Sequence, residues 1–125
     1  MASKREERKQ ETHFRVMRLV QENPCISTRE IARRAGISNG GAYYCVTALI
    51  EQGYLKLKNF TQSKSKANYF YELTPSGIRR KSVLTMQFLD RKREEYKDLK
   101  EEISRLEAEL GYYEEENSEN REESL

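Results

Sequence analysis

The 125-residue chain contains no tryptophan, two prolines, two cysteines and a single histidine. It also lacks any run approaching the roughly 20 apolar residues that a membrane-spanning helix needs. Cys25 and Cys45 do not have the paired spacing of a metal site, so we predict free thiols and no metal. The first residues, MASKREERKQ, lack the apolar stretch of a secretory signal, and we therefore expect a cytoplasmic protein.

The composition leaves room for only a small hydrophobic core. Charged residues make up 35% of the chain and hydrophobic residues 36%, which suits one compact domain with an appendage. The only histidine, His13, has no nearby Cys or carboxylate constellation, and we expect it to be an exposed helical residue. The sequence contains no phosphate-binding loop, dinucleotide fingerprint or zinc motif. These observations argue against an enzyme and against a bound cofactor.

The net charge of +2 conceals two oppositely charged regions. Up to Arg93 the chain carries 19 basic and 8 acidic residues, a balance of +11; from Glu94 onward it carries 4 and 13, a balance of −9. Such a division is typical of a nucleic-acid-binding domain with a separate extension, although basic residues also simply solubilise small domains. Nucleic acid is therefore a candidate partner of the first region.

Residues 27–53 have the pattern of two short helices joined by a tight turn. Ser27 and Glu30 fit a capping box at the start of the first helix, and Gly36 lies where a left-handed C-terminal cap is needed. Ser38 is placed to cap the second helix, in which apolar residues recur at helical spacing: Ala42, Val46, Leu49 and Ile50. This is the layout of a helix-turn-helix, with one face of the second helix buried and the other free to enter a DNA groove.

Other elements are predicted on both sides of this motif. Residues 4–23 have helical periodicity and end before a proline. Residues 55–58 and 69–73 alternate apolar and polar positions, which predicts two antiparallel strands joined by a wing at 59–68. Thr74 then caps a last helix that has a proline in its first position.

Several of these motifs together resemble the winged helix-turn-helix of MarR-type bacterial transcriptional regulators. The similarity rests on REIARRAGIS at residues 29–38, LIEQG at 49–53 and LTPSG at 73–77, and it covers roughly residues 14–82. It implies a mainly α fold with a small β-wing. PadR-type regulators share this architecture, with a dimerising helix after the wing. The tyrosine-rich string GGAYYCV at 40–46 resembles the small MarR-like regulators associated with exopolysaccharide gene clusters.

The free face of the second motif helix is predicted to read the major groove. Tyrosine hydroxyls can donate to phosphates and their rings can pack on thymine methyls, while Asn39 can pair with adenine. This helix carries no Arg or Lys, so the phosphate contacts must come from the preceding helix, where Arg33 and Arg34 are further candidates, and from the wing. The predicted DNA contacts are Arg29, Ser38, Asn39, Gly40, Tyr43, Tyr44, Thr47, Lys56, Lys58, Lys64 and Lys66.

Three of these interpretations have alternatives. Gly40 and Gly41 either let the backbone approach DNA closely or mark a loosely formed first turn. Tyr43 either faces DNA or packs partly into the core. The wing lacks the D-x-R pattern usual in the MarR type, which puts an arginine clamp in the minor groove in doubt and leaves the wing lysines to bind phosphate.

A long helix is predicted from Pro75, with no obvious stop until about Gly111. Its apolar residues occupy the a and d positions of about three heptads and predict a dimerisation seam, formed by Leu89, Tyr96, Leu99, Ile103, Leu106 and Leu110. Flanking charges leave the orientation of the two helices open. The predicted division is a winged helix-turn-helix domain at 1–82, a coiled-coil dimerisation helix at 83–113 and an acidic disordered tail at 114–125.

The predicted function is a sequence-specific transcriptional regulator that binds an inverted repeat in double-stranded DNA as a homodimer. We expect no small-molecule effector, because the chain lacks the two-part dimerisation region that can form an effector pocket in larger MarR-type regulators. The alternative is a winged helix that serves as a protein-interaction module, with the acidic coiled coil as its binding element. Oxidation of Cys45 would offer one form of regulation, whereas a buried structural thiol is the simpler interpretation.

Overall fold

The computed structural model describes residues 3–60 and 68–123. The elements follow in the order α1 (Lys4–Glu22), α2 (Thr28–Ala35), α3 (Asn39–Glu51), β1 (Leu55–Phe60), β2 (Asn68–Leu73) and α4 (Pro75–Glu123). The predicted mainly helical fold with a small two-stranded wing and a long last helix is confirmed. Lys64 and Lys66, two of the predicted DNA contacts, lie outside the described residues.

The chain divides into two compact units, Met1–Phe88 and Leu89–Leu125. The first unit contains α1 to α3, both strands and the beginning of α4, and the second contains the rest of α4. Within the described parts of both units, no helix combines the length and the apolar character needed to cross a membrane.

The core of the first unit forms where α1, α2, α3 and β1 pack together. Amphipathic spacing turns one side of each helix inward, and the ring of Phe14 on α1 stacks on Phe88 of α4, with centroids 5.0 Å apart. The largest fully buried side chains are Met17, Ile31, Leu49, Leu55, Leu84, Val16 and Val20. The apolar residues that recur every three or four positions in the sequence therefore do form the buried faces of these helices.

The predicted caps of the helix-turn-helix are confirmed, except that the Glu30 carboxylate accepts from Arg33 and Arg34 and does not complete a capping box with Ser27. Ser27 Oγ accepts from the backbone N–H of Glu30 at 3.1 Å, and Ser38 Oγ accepts from that of Gly41 at 3.0 Å. Gly36 ends α2 in the left-handed conformation, with φ +70°. These three positions fix where α2 ends and α3 begins, and thus how α3 is presented.

Two expectations about single residues are wrong. Ile50, predicted in the buried stripe of α3, is 37% exposed, because one step beyond the fully buried Leu49 rotates its side chain to the edge of the core. His13, predicted exposed, is only 9% exposed. Burial lowers the pKa of His13 below its usual value, and the positive charges of Lys9 and Arg80 lower it further.

The two strands form an antiparallel pair in which Leu55 lies opposite Leu73 and Leu57 opposite Tyr71. Leu55 and Leu57 share one face of the sheet, since side chains two residues apart in a strand do so. Leu55 is buried, whereas Leu57 is 45% exposed. The apolar side chains of β1 thus become more exposed with distance from α3.

The LTPSG string has a definite structural role at the start of α4. Thr74 Oγ1 accepts from the backbone N–H of Gly77 at 3.0 Å and donates to the carbonyl of Gly53 at 2.5 Å. The backbone N–H of Thr74 donates to the carbonyl of Tyr54 at 3.1 Å. A Cβ atom on Gly77 would lie 2.0 Å from that same carbonyl oxygen, so only glycine allows this approach. These hydrogen bonds and this close contact therefore hold the start of α4 against the turn after α3.

The end of α4 differs from the prediction. The helix continues past Gly111 to Glu123, so the structure assigns helix to most of the segment predicted as a disordered tail at 114–125. Gly111 costs the helix about 1 kcal/mol relative to alanine, which is not enough to end it. The glutamates that follow are good helix formers, and neither a proline nor a second glycine interrupts them.

Candidate nucleic-acid interface

The outer face of α3 is polar and aromatic. Opposite its buried residues, Tyr43 is 67% exposed and Tyr44 is 71% exposed. The exposure of Tyr43 rules out the alternative in which it packs into the core. Asn39 and Gly40 are exposed at the N-terminal end, and Thr47 is half-buried one turn further along. The predicted contacts on α3 therefore share a single accessible surface, which we call the α3 face: Ser38, Asn39, Gly40, Tyr43, Tyr44 and Thr47.

The two glycines of this helix differ in their surroundings. A Cβ atom on Gly41 would lie 3.0 Å from Ser38 Oγ and press on the capping hydroxyl, whereas one on Gly40 would meet nothing within 4 Å. The first turn is well formed, because the N–H of Ala42 also donates to the carbonyl of Ser38 at 2.9 Å. Gly40 thus makes the helix less stable than alanine would, by about 1 kcal/mol, and no close contact inside the protein requires a glycine there. A ligand that approaches the helix backbone closely from outside would require one.

The arginines of α2 do not all carry free charge. Arg33 Nε donates to Glu30 Oε2 at 3.0 Å, and Arg34 Nε donates to Glu30 Oε1 at 3.0 Å. The hydrogen bond from Arg33, followed by that from Arg34, lowers the pKa of Glu30 to about 2. Arg29 is exposed at the start of α2, and no carboxylate of the described residues lies within ion-pair distance of it. Arg29 is therefore the arginine of α2 most available to phosphate.

The lysines of β1 lie beside an acidic residue on β2. Lys58 Nζ forms an ion pair with Glu72 Oε2 at 2.6 Å, and this interaction lowers the pKa of Glu72. Lys56 lies directly opposite Glu72 in the strand register and is exposed. The prediction of Lys56 and Lys58 as phosphate contacts did not include this cross-strand neighbour. Of the two, Lys56 retains the more available charge.

A basic segment at the start of α1 was missed by the sequence reasoning. Arg5, Arg8 and Lys9 line one side of a groove of about 780 Å³, and Gly41 and Tyr44 of α3 line the other. The signal was present in the sequence, because spacings of three and four residues place these basic side chains on one side of a helix. Nothing in the sequence alone showed that this side faces α3.

Cys45 belongs to the buried side of α3. It is 4% exposed, and burial raises the pKa of its thiol to about 11. A protonated thiol is a poor nucleophile toward oxidants, so the structural interpretation of Cys45 is favoured over redox sensing. Among the described residues, no group of three His, Cys, Asp or Glu side chains is placed to hold a metal ion.

Comparison with known proteins identifies the architecture. A family model described as winged helix-turn-helix DNA-binding matches residues 9–56, from α1 to the start of β1. The fold is a winged helix-turn-helix. No curated protein sequence matches the chain.

Solved winged helix-turn-helix structures share this fold at low sequence identity. A MarR/EmrR family transcriptional regulator from Acinetobacter sp. ADP1 is 19% identical over 66% of this chain, with a TM-score of 0.57. A MepR mutant from S. aureus bound to an oligodeoxyribonucleotide is 14% identical over 79% of this chain and 78% of its own, with a TM-score of 0.53. A DNA-binding protein from Sulfolobus solfataricus is 23% identical over 78% of this chain and 93% of its own, with a TM-score of 0.52. The chain spans only 57% of the Acinetobacter regulator.

Proposed function

We propose that the protein is a sequence-specific DNA-binding transcriptional regulator of the MarR type, without catalytic activity, acting in the cytoplasm. The α3 face carries this proposal, because two tyrosines exposed by 67% and 71% stand on the second helix of a helix-turn-helix. In that motif the second helix enters the major groove with its N-terminal residues toward the bases. The match to a DNA-binding family model supports the same partner.

Four residues of the α3 face, together with Arg29 of α2, have specific roles in this proposal. Tyr44 packs its ring against thymine methyls, and Tyr43 donates its hydroxyl to phosphate. Asn39, at the N-terminal tip, pairs with adenine. Gly40 lets the helix backbone approach the DNA, which accounts for a glycine with open space beside it. Arg29 binds phosphate at the start of α2.

The apolar seam of the second unit supports a homodimer. Its residues remain between 43% and 67% exposed in the single chain, although a seam of this kind is ordinarily buried against a second helix. Two copies would present two α3 faces to an inverted repeat, with half-sites about 34 Å apart. The seam consists of Leu89, Tyr96, Leu99, Ile103, Leu106 and Leu110.

The target genes are a finer part of the proposal. The GGAYYCV string, which supplies Gly40, Tyr43 and Tyr44 of the α3 face, resembles the exopolysaccharide-associated MarR-like regulators, and we assign exopolysaccharide genes as targets on that resemblance. The MepR structure that contains an oligodeoxyribonucleotide supports DNA as the ligand of this kind of fold.

Selection from a pool of randomised duplexes at two salt concentrations tests the proposed function. The expected result is an enriched palindrome that is retained at the higher salt, because base contacts lose less affinity to salt than phosphate contacts do. Retention without enrichment, lost at high salt, would contradict sequence-specific binding. No retention at either concentration would favour a protein-interaction module instead.

A further inference from the structure

We propose that the first turns of α1 form a second DNA contact, in which Arg5, Arg8 and Lys9 bind the phosphate backbone beside the bases read by α3. This inference rests on the proposed function and assigns a binding site to the groove between α1 and α3. Its ligand is a stretch of sugar–phosphate backbone.

The geometry of the groove places these basic side chains next to the DNA-reading surface. Tyr44 belongs both to the α3 face and to the groove wall, so a DNA strand that contacts Tyr44 passes the mouth of the groove. Gly41, on the same wall, has no side chain to narrow it. Arg5 and Lys9 are four residues apart, about 6 Å along α1. The groove therefore offers positive charge along a line rather than at one point.

The charges of α1 differ between its two halves. In the second half, Arg15 pairs with Glu11 at 2.8 Å and Arg18 pairs with Glu22 at 3.2 Å. In the first half, the structure gives Arg5 no carboxylate partner among the described residues, and Arg8 Nε donates only to a backbone carbonyl, at 3.4 Å. The positive charge of Lys9 also helps to lower the pKa of the buried histidine at the inner end of the groove. Glu6 also lines the groove, but the three basic side chains outnumber it, so the available positive charge of α1 is concentrated beside α3.

This site also supplies charge that the rest of the interface lacks. The α3 helix contains no Arg or Lys. Arg33 and Arg34 share the carboxylate of Glu30, and Lys58 is paired with Glu72. Affinity for duplex DNA depends strongly on the number of phosphates neutralised by basic side chains. Arg5, Arg8 and Lys9 line the same groove as Tyr44, and among the described residues none of the three forms an ion pair.

The test compares two double variants of the full chain. Arg5→Gln with Arg8→Gln removes charge from the groove, and glutamine keeps a comparable helix propensity. The matched control, Arg15→Gln with Arg18→Gln, removes the same charge from the other half of the same helix. Circular dichroism melts of both variants confirm that they remain folded. Binding is then measured across a salt series on the selected palindrome and on a random duplex.

The groove variant is expected to weaken binding to both duplexes by a similar factor, about tenfold or more at low salt, and to reduce the slope of log K against log salt by about 2. The control variant is expected to keep the wild-type slope. A folded groove variant with the wild-type slope would overturn this inference alone. Failure of the wild-type protein to bind any duplex would overturn the proposed function and this inference together.

Discussion

The two units of the chain use the same apolar residue types in opposite ways. In the first, Leu49 and Leu55 are 0% and 2% exposed, whereas in the second Leu99 and Ile103 are 54% and 46% exposed. Helices in proteins gain most of their stability from packing an apolar face. The first unit has such packing within the single chain, and within the second unit the seam has none. The first unit is therefore stabilised by its own core, while the exposed seam of the second unit supports the proposed homodimer.

A boundary five residues further along the chain, after Arg93, separates the charges. The +11 balance up to Arg93 belongs to the region that contains the α3 face, and the −9 balance after it belongs to the region that contains most of the proposed dimer seam. DNA attracts the first region and repels the second. This difference supports the proposal that one unit recognises DNA and the other forms the dimer, and each part of the proposal can be tested separately.

The largest expected effect comes from the second unit. Leu99→Glu with Ile103→Glu places charges in the apolar seam, and we expect the dimer of about 30 kDa to dissociate into chains of 14.8 kDa. Sedimentation equilibrium measures this mass directly. Lys97→Glu with Ser104→Glu adds two glutamates outside the seam and should leave a dimer. A double seam variant that still sediments as a dimer would show that assembly uses another surface.

Substitution of Gly77, at the start of α4, is expected to give the next largest effect, a loss of stability. Gly77→Ala forces a Cβ atom to within 2.0 Å of the Tyr54 carbonyl, so the start of the helix must move. We expect a loss of about 2 kcal/mol or more in the free energy of unfolding, measured by urea denaturation. Gly111→Ala is the control, because nothing lies within 4 Å of its Cβ position. That variant should be neutral or stabilised, and equal losses in both would contradict the close packing at Gly77.

Gly40→Ala separates stability from binding in the first unit. Because its Cβ position is open, alanine should raise the free energy of unfolding by about 1 kcal/mol. The added methyl lies on the α3 face, and we expect weaker binding to the selected palindrome. Thermal melts and DNA titrations measure the two effects. A variant that is more stable and binds DNA equally well would remove the explanation given for this glycine.

The smallest expected effect is a pH dependence that belongs to the first unit. The pKa of His13 is lowered in the folded state, so the unfolded chain binds more protons as the pH falls below about 6.5. Stability should therefore decrease on acidification from about pH 7.5 to 5.5. His13→Gln should flatten that part of the melting-temperature profile. An identical profile in the variant would assign the effect to other groups.

Local sequence rules predicted much of the first unit. The capping serines, the left-handed Gly36 and the antiparallel strands follow from residue type and spacing, because each depends on neighbours a few positions away. Even the LTPSG string was placed correctly at the start of α4. Its reason, the contact between Gly77 and the Tyr54 carbonyl, became visible only in three dimensions.

Contacts between distant parts of the chain were not predictable in this way. The burial of His13 depends on what packs against α1, and the ion pair of Lys58 depends on the strand register that brings Glu72 beside it. The basic groove depends on α1 lying along α3. In each case the residue type was known, but the partner lay on another element. The length of α4 was underestimated because a single glycine was given too much weight.

The most direct test of the account measures Tyr44→Ala on the selected palindrome and on a random duplex, with Tyr44→Phe as the variant that keeps the ring. We predict that alanine weakens the palindrome at least about tenfold more than the random duplex, because the ring contacts bases. Phenylalanine should retain most of this preference. An equal loss on both duplexes, or no loss on either, would contradict the claim that the α3 face reads DNA sequence.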